Sequence, residues 1–271
     1  FLGSENGVVY ALNEANGEVL WQTTVPGEVV ASPAVEDGRV VVLTTSGRLM
    51  ALDTDEGKLQ WTLSEEQPPL TLRSASTPVI TNGAVLYGRA DGKVGIALLS
   101  NGQPVRQSKV ADPRGATELD RMVDVDASPL IAGDELYAIA YNGQLMARKL
   151  MTGDEVWKRK YSGYRDMAVT GNAIVLTDSR SHLFAVDRRN GLELWSNTQL
   201  ENRTVTAPVV LGDYVVVGDV EGYLYWLDRT DGSIKAMQQL DSSGLYAAPL
   251  VDGDTLYVQS RGGKLYAIKR P

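Results

Sequence analysis

The 271-residue sequence predicts an all-β protein, a β-propeller of four-stranded antiparallel blades. One motif recurs along the chain at intervals of 38 to 51 residues. Between its copies, short segments either alternate apolar and polar residues or are β-branched, and glycine, asparagine and aspartate separate them. This alternation is typical of strands, and four strands in a repeat of this length are typical of a propeller blade. No stretch of the sequence predicts a helix.

One copy of the motif runs from Gly47 to Trp61. Equivalent copies start at Gly7, Gly47, Gly92, Gly143, Ser181, Gly222 and Gly263. A further glycine follows ten residues after each of the first six starts, where a hairpin turn favours positive φ. Tryptophan stands fourteen residues after four of the starts, at Trp21, Trp61, Trp157 and Trp195. We interpret this tryptophan column as packing between neighbouring blades, in preference to stacking on a sugar or a cofactor.

A second element precedes most copies and supplies the first strand of each blade. It contains a proline at Pro33, Pro78, Pro129, Pro208 and Pro249. We name the four strands of a blade A to D in chain order, with the proline at A and the tryptophan on D. The first repeat lacks A and the last ends before D, so about seven blades are represented, two of them incomplete. Because open sheet edges invite aggregation, we expect residues 1–271 to be one propeller domain that is truncated at its N-terminus.

Two connections between strand D and the next strand A are unusually long. The first such connection in the chain takes 11 residues, whereas the next two take 16 and 22. These two belong to successive blades and leave from the same face, so we expect them to form one composite surface. The first carries Leu70, Leu72 and Arg73, and the second carries Asp124 and Asp126.

These five residues are open to more than one interpretation. Leu70 and Leu72 point the same way in an extended segment, and an apolar anchor with flanking charges is typical of a protein-binding site. Within such a site, Asp124 or Asp126 could set the orientation of the partner, or could instead hold Arg73 in place. Alternatively, the leucines cap the core beneath a long loop, and Asp124 and Asp126 are ordinary turn residues. A calcium loop is disfavoured, because calcium takes about six to eight oxygen ligands.

Composition excludes several classes of function. The net charge of −8 disfavours binding to nucleic acid and docking on anionic lipid. The absence of cysteine excludes disulfides, thiolate catalysis and cysteine-bound metals, and the single histidine, His182, cannot form a multi-histidine metal site. No apolar run reaches the roughly 20 residues that a membrane-spanning helix needs. We therefore expect no catalytic residue, metal or cofactor.

The blade motif Ala-Leu-Asp-x-x-x-Gly-x-x-x-Trp resembles the tryptophan-docking repeat of quinoprotein dehydrogenases and their non-enzymatic relatives. Within that superfamily the chain resembles the BamB family, lipoproteins of the outer-membrane β-barrel assembly (BAM) machinery, over essentially its whole length. The segments that carry this resemblance are residues 70–74, 115–126, 140–143, 217–224 and 241–244. The long connections are specific to the family, whereas the blade repeat is shared by many proteins.

The resemblance implies an eight-bladed parent propeller at the periplasmic face of the outer membrane of a Gram-negative bacterium. It implies an N-terminal lipid anchor, whose cysteine and signal peptide are absent from this sequence. It also implies binding to a periplasmic POTRA domain of BamA within the BAM complex, and help in folding unfolded outer-membrane clients. Family members make the BamA contact through Leu-x-Leu-Arg and Asp-x-Asp segments. These match Leu70, Leu72 and Arg73, and Asp124 and Asp126.

Two other functions stand beside that of a non-enzymatic scaffold. A PQQ-type quinoprotein dehydrogenase would need a bound quinone, calcium and a catalytic aspartate, and its frequent vicinal disulfide is impossible without cysteine. We interpret His182 as a surface loop residue and not as a catalytic base. A sugar- or peptide-binding propeller would stack its ligand on exposed tyrosines, for which the candidates are Tyr141, Tyr161, Tyr164 and Tyr223. We favour ordinary strand aromatics for these four residues.

Overall fold

The computed structural model describes residues 1–73 and 75–271. Within these residues the strands form seven sheets, which we number 1 to 7 in chain order. Sheets 1 and 7 have three strands and the other five have four, which agrees with the strands that the repeat predicts. Neighbouring strands pair antiparallel, as in sheet 2, where Val41 lies opposite Ala51. The chain divides into two compact units.

Unit 1 comprises Phe1–Ile131 and Leu136–Leu145 and contains sheets 1 to 3. Its strands are β1 (Leu2–Gly3), β2 (Val8–Leu12), β3 (Val19–Thr24), β4 (Ala34–Glu36), β5 (Arg39–Leu43), β6 (Arg48–Asp53), β7 (Leu59–Ser64), β8 (Val79–Thr81), β9 (Ala84–Gly88), β10 (Lys93–Leu98) and β11 (Pro104–Lys109). A short helix, α1 (Glu118–Arg121), follows β11. Each strand A in this unit begins directly after its proline, which has no N–H to donate to the sheet.

Unit 2 comprises Ala132–Glu135 and Met146–Pro271 and contains sheets 5 to 7. Its strands are β16 (Ala168–Thr170), β17 (Ala173–Thr177), β18 (Leu183–Asp187), β19 (Glu193–Asn197), β20 (Val209–Leu211), β21 (Tyr214–Gly218), β22 (Tyr223–Asp228), β23 (Ile234–Gln239), β24 (Leu250–Asp252), β25 (Thr255–Gln259) and β26 (Leu265–Lys269). The residues of sheet 4 are divided between the units, and its strands are β12 (Leu130–Ala132), β13 (Glu135–Ile139), β14 (Leu145–Lys149) and β15 (Glu155–Arg159).

Strands B and C of the four-stranded sheets form most of the core, and sheet 2 shows why. Val40, Val41 and Val42 of β5 are all fully buried, because Val41 faces sheet 3 while Val40 and Val42 face sheet 1. A strand covered on both faces reads as a continuous apolar run. The outermost strand, β7, alternates instead, with Trp61 buried and Leu59 exposed. Within each unit the core therefore lies between successive sheets.

The tryptophan column joins one sheet to the next, as predicted. Trp61 of β7 donates its indole N–H to the carbonyl of Leu99 at 2.9 Å. Its ring lies against Gly102, where φ is +72° and any Cβ would collide with the indole. The same pairing recurs for Trp21 with Gly57, Trp157 with Gly191, and Trp195 with Gly232. The glycine column therefore serves both the turn and the close approach of the preceding tryptophan.

The prediction that the chain has no helix is wrong at α1. The side chain of Thr117 accepts a hydrogen bond from the backbone N–H of Asp120, and the carboxylate of Asp120 accepts one from the N–H of Thr117. This reciprocal pair is a capping box, which satisfies backbone donors at the start of a helix. This single helical turn is stable because the cap compensates for its short length and for the absence of buried residues in it. In the part of the chain that is described, no helix has the length and apolarity needed to cross a bilayer.

Candidate functional site

The two long connections lie together, as their lengths predict. We call residues 65–78, between β7 and β8, the first connection, and residues 110–129, between β11 and β12, the second connection. The backbone N–H of Leu72 in the first donates to Oδ1 of Asp124 in the second at 2.9 Å. These residues are 52 positions apart in the sequence, so this hydrogen bond closes the two connections into one surface.

The two leucines differ in exposure. Leu70 keeps 42% of its surface exposed, whereas Leu72 is half-buried and lines a cavity of about 30 Å³ beneath the first connection. The hydrogen bond to Asp124 holds the backbone of Leu72, the less exposed of the two. Of the two leucines, Leu70 offers the larger exposed apolar surface.

Asp124 and Asp126 lie under the surface. Asp124 is 1% exposed between the buried residues Val123 and Val125, and Asp126 is half-buried. Burial raises the pKa of Asp124, although the hydrogen bond from Leu72 opposes this rise. Burial, reinforced by the charge of Asp124, raises the pKa of Asp126 to about 8. The protonated form of Asp126 is therefore favoured near neutral pH. Asp124 supports the first connection from below through its hydrogen bond with Leu72.

Arg73 is held by a residue that the sequence analysis did not select. Its Nε donates to Oε2 of Glu28 at 3.1 Å, and a terminal nitrogen donates to Oε1 at 2.8 Å. Glu5 lies 3.8 Å from the same guanidinium. The hydrogen bond to Arg73 lowers the pKa of Glu28 and raises that of Arg73. The arrangement in which Asp124 or Asp126 holds Arg73 is therefore wrong, because the guanidinium binds Glu28.

A buried ion-pair network forms the floor of the site. Arg89 donates through two nitrogens to Asp91, at 3.0 and 2.9 Å, and a third nitrogen lies 2.5 Å from Glu65. The hydroxyl of Tyr87 donates to Glu65 at 2.6 Å. Burial raises the pKa of Tyr87, so the phenol stays neutral. Because Glu65 opens the first connection, the network fixes the start of that connection to strand β9.

The residues considered for other functions have ordinary structural contacts. His182 lies in the loop just before β18, where it is partly buried, and its Nδ1 lies 3.0 Å from Asp178. The Tyr161 ring packs edge-on against Phe184 at 5.3 Å, and the Tyr223 ring lies 5.4 Å from the guanidinium of Arg203. Among residues 1–73 and 75–271, no group of three or more metal-binding side chains comes together.

Comparison with known proteins agrees with this architecture. The chain matches the model of the family described as outer membrane protein assembly factor BamB, over residues 1–197 and 193–270. The chain belongs to the BamB family. Similar members include those of Shewanella oneidensis, 46% identical, Yersinia pestis, 42% identical, and Escherichia coli K12, 39% identical. Each match covers 210 residues and 78% of this chain, but only 53% or 54% of the relative, so the chain spans about half the length of these curated relatives.

A solved BamB structure shares the fold. The crystal structure of BamB from Moraxella catarrhalis superposes with a TM-score of 0.94 at 27% identity, covering 99% of this chain and 80% of that chain. The computationally designed Ika8 protein also matches, with a TM-score of 0.76 at 15% identity, which is a likeness of fold alone. The all-β propeller fold class predicted from the repeat is confirmed, and the eight blades of the parent protein stay a prediction.

Proposed function

We propose that this chain is a non-enzymatic scaffold subunit of the BAM complex that binds a periplasmic POTRA domain of BamA through its two long connections. In this role it assists the folding and insertion of β-barrel outer-membrane proteins. It works at the periplasmic face of the outer membrane, where a lipid anchor of the parent protein holds it. The observation that carries the proposal is the hydrogen bond from Leu72 to Asp124, since it joins both connections into one surface.

The geometry supports a pre-organised contact. Leu70 offers an exposed apolar side chain, and the exposed Arg73 offers an oriented guanidinium beside it. An apolar anchor next to a charged group is the usual composition of an interaction hot spot. Asp124 contributes from below by holding the backbone at Leu72, between these two groups, and Asp126 lines the cavity beneath it. A surface fixed before binding loses less conformational entropy when the partner docks.

The test is a titration of the chain against isolated POTRA domains of BamA by calorimetry. Leu70→Ala and Arg73→Glu should each weaken binding by about tenfold or more, because truncating a hot-spot residue costs roughly 2 kcal/mol. Leu59→Ala is the matched control, since Leu59 is at least as exposed as Leu70 but lies at the end of β7 away from the first connection. Binding that is unchanged in both site variants, or equally weakened by Leu59→Ala, would contradict the proposal.

The non-enzymatic part of the proposal has its own test. A quinoprotein would carry the absorbance of a bound quinone and would reduce a dye in the presence of an alcohol or sugar. We expect the purified chain, after incubation with PQQ and calcium, to return to a colourless state on gel filtration. Retained quinone absorbance at one equivalent would overturn the non-enzymatic assignment while leaving the POTRA contact to be judged separately.

A further inference from the structure

A third connection contributes to the candidate surface. It joins β3 to β4, comprises residues 25–33 and is shorter than the first and second connections. Its Glu28 reaches the first connection, 45 residues further along the chain, and accepts two hydrogen bonds from Arg73. Two nitrogens of the guanidinium thus bind the two oxygens of the carboxylate in parallel. This bidentate pairing fixes the orientation of the two groups as well as the distance between them.

The short connection is itself firmly anchored. The backbone N–H of Val29 donates to the carbonyl of Ser4 at 3.0 Å, and the carbonyl of Glu28 accepts the N–H of Thr45 at 3.0 Å. Val29 is 2% exposed and packs in the core between sheets 1 and 2. The hydroxyl of Ser46 donates to the carbonyl of Pro26 at 3.2 Å. Glu28 therefore extends from a backbone that both neighbouring sheets hold in place.

Two acidic residues consequently hold adjacent positions of the first connection from opposite sides. Asp124, from the connection that follows, binds the backbone N–H of Leu72. Glu28, from the connection that precedes, binds the side chain of Arg73. The remaining acid near the guanidinium, Glu5, is 74% exposed and 3.8 Å away, so it adds charge without fixing a geometry.

We infer that Glu28 is a positioning residue of the binding surface, which extends over three successive connections. Glu28 holds the guanidinium of Arg73 in the orientation in which a partner meets it. The inference rests on the proposed function for its partner, but the positioning itself is a property of the isolated chain. An arginine whose guanidinium is already fixed by a carboxylate loses less side-chain entropy when a partner binds. Glu28 should therefore contribute to affinity only by its effect on Arg73.

The positioning is tested first without a partner. In the ¹⁵N-labelled full chain, we expect Glu28→Ala to shift the Nε–Hε resonance of Arg73 and to speed the exchange of its proton with water. Glu5→Ala is the matched control and should leave this resonance almost unchanged, because Glu5 accepts no hydrogen bond from Nε. An Arg73 Nε–Hε signal that is the same in Glu28→Ala and wild type would overturn the inference.

The second test is a double-mutant cycle against the POTRA domain. Glu28→Ala should weaken binding about three- to tenfold, the cost of ordering one flexible side chain, without lowering the thermal midpoint. In an Arg73→Ala background the same substitution should have no further effect. A loss that persists in that background would mean that Glu28 touches the partner directly, and the positioning role would be wrong. If the wild-type chain binds no POTRA domain, the proposed function fails, while the Arg73 resonance still decides whether Glu28 fixes Arg73.

Discussion

Two hydrogen bonds in unit 1, which we call joints, connect successive parts of the chain with the roles of side chain and backbone exchanged. At the first, the Trp61 side chain donates to the backbone of Leu99, and both groups are neutral. At the second, the Leu72 backbone donates to the Asp124 side chain, a carboxylate 1% exposed. The tryptophan joint recurs from sheet to sheet and holds the scaffold, whereas the aspartate joint occurs within the two extended connections. The difference shows that contacts repeated from sheet to sheet stabilise the fold. The candidate site depends instead on one contact outside the repeat, and forming that contact requires the burial of a carboxylic acid, which is unfavourable.

The largest expected effect is on the recurring joint. Trp61→Ala should lower the free energy of unfolding by about 3–5 kcal/mol, because it removes a large buried ring and leaves a cavity over Gly102. Trp21→Ala is the matched variant, and since Trp21 is only half-buried its loss should be smaller. Guanidinium unfolding monitored by circular dichroism measures both. Equal losses would show that burial of the ring does not determine the strength of this joint.

The second effect concerns the exceptional joint. Asp124→Ala leaves the N–H of Leu72 without its acceptor and should lower the free energy of unfolding by about 1–3 kcal/mol. It should also abolish POTRA binding, whereas Asp124→Asn, whose amide oxygen still accepts the hydrogen bond, should retain most of both properties. Urea unfolding and the calorimetric titration check the pair. If the asparagine variant binds as poorly as the alanine variant, the negative charge and not the hydrogen bond is what matters.

The last effect is a pH dependence of stability at Asp126. Its pKa is about 8 in the folded chain, against about 3.9 for an exposed aspartate. Between these values the folded chain holds a proton that the unfolded chain has released, so this residue makes stability fall as pH rises from about 4 to about 8. Asp126→Asn should remove this slope, and Asp55→Asn, at an exposed turn, should preserve it. Thermal midpoints over that pH range give the answer, and a wild-type slope in Asp126→Asn would exclude Asp126 as its source.

The strands and their packing could be predicted because the same residue types recur at the same positions from repeat to repeat. The columns of glycine and tryptophan indicated that Trp61 packs between sheets, and connection length indicated which loops meet. Burial of Asp124 and Asp126 was not predictable, since an aspartate in a loop is usually a turn residue at the surface. Glu28 gave no signal either, because its connection has ordinary length and its partner lies 45 residues away. Helix α1 depends on a local cap without an apolar run.

The indole–glycine contact also makes the chain modular. Because Trp61 rests on Gly102 in the same way that Trp195 rests on Gly232, a sheet that offers the glycine fits against a sheet that offers the indole. Chimaeras that exchange whole sheets between relatives should therefore tolerate cut points just after strand D. A substitution that enlarges the glycine would instead require a smaller ring 34 to 41 residues earlier, so these two positions should vary as a pair.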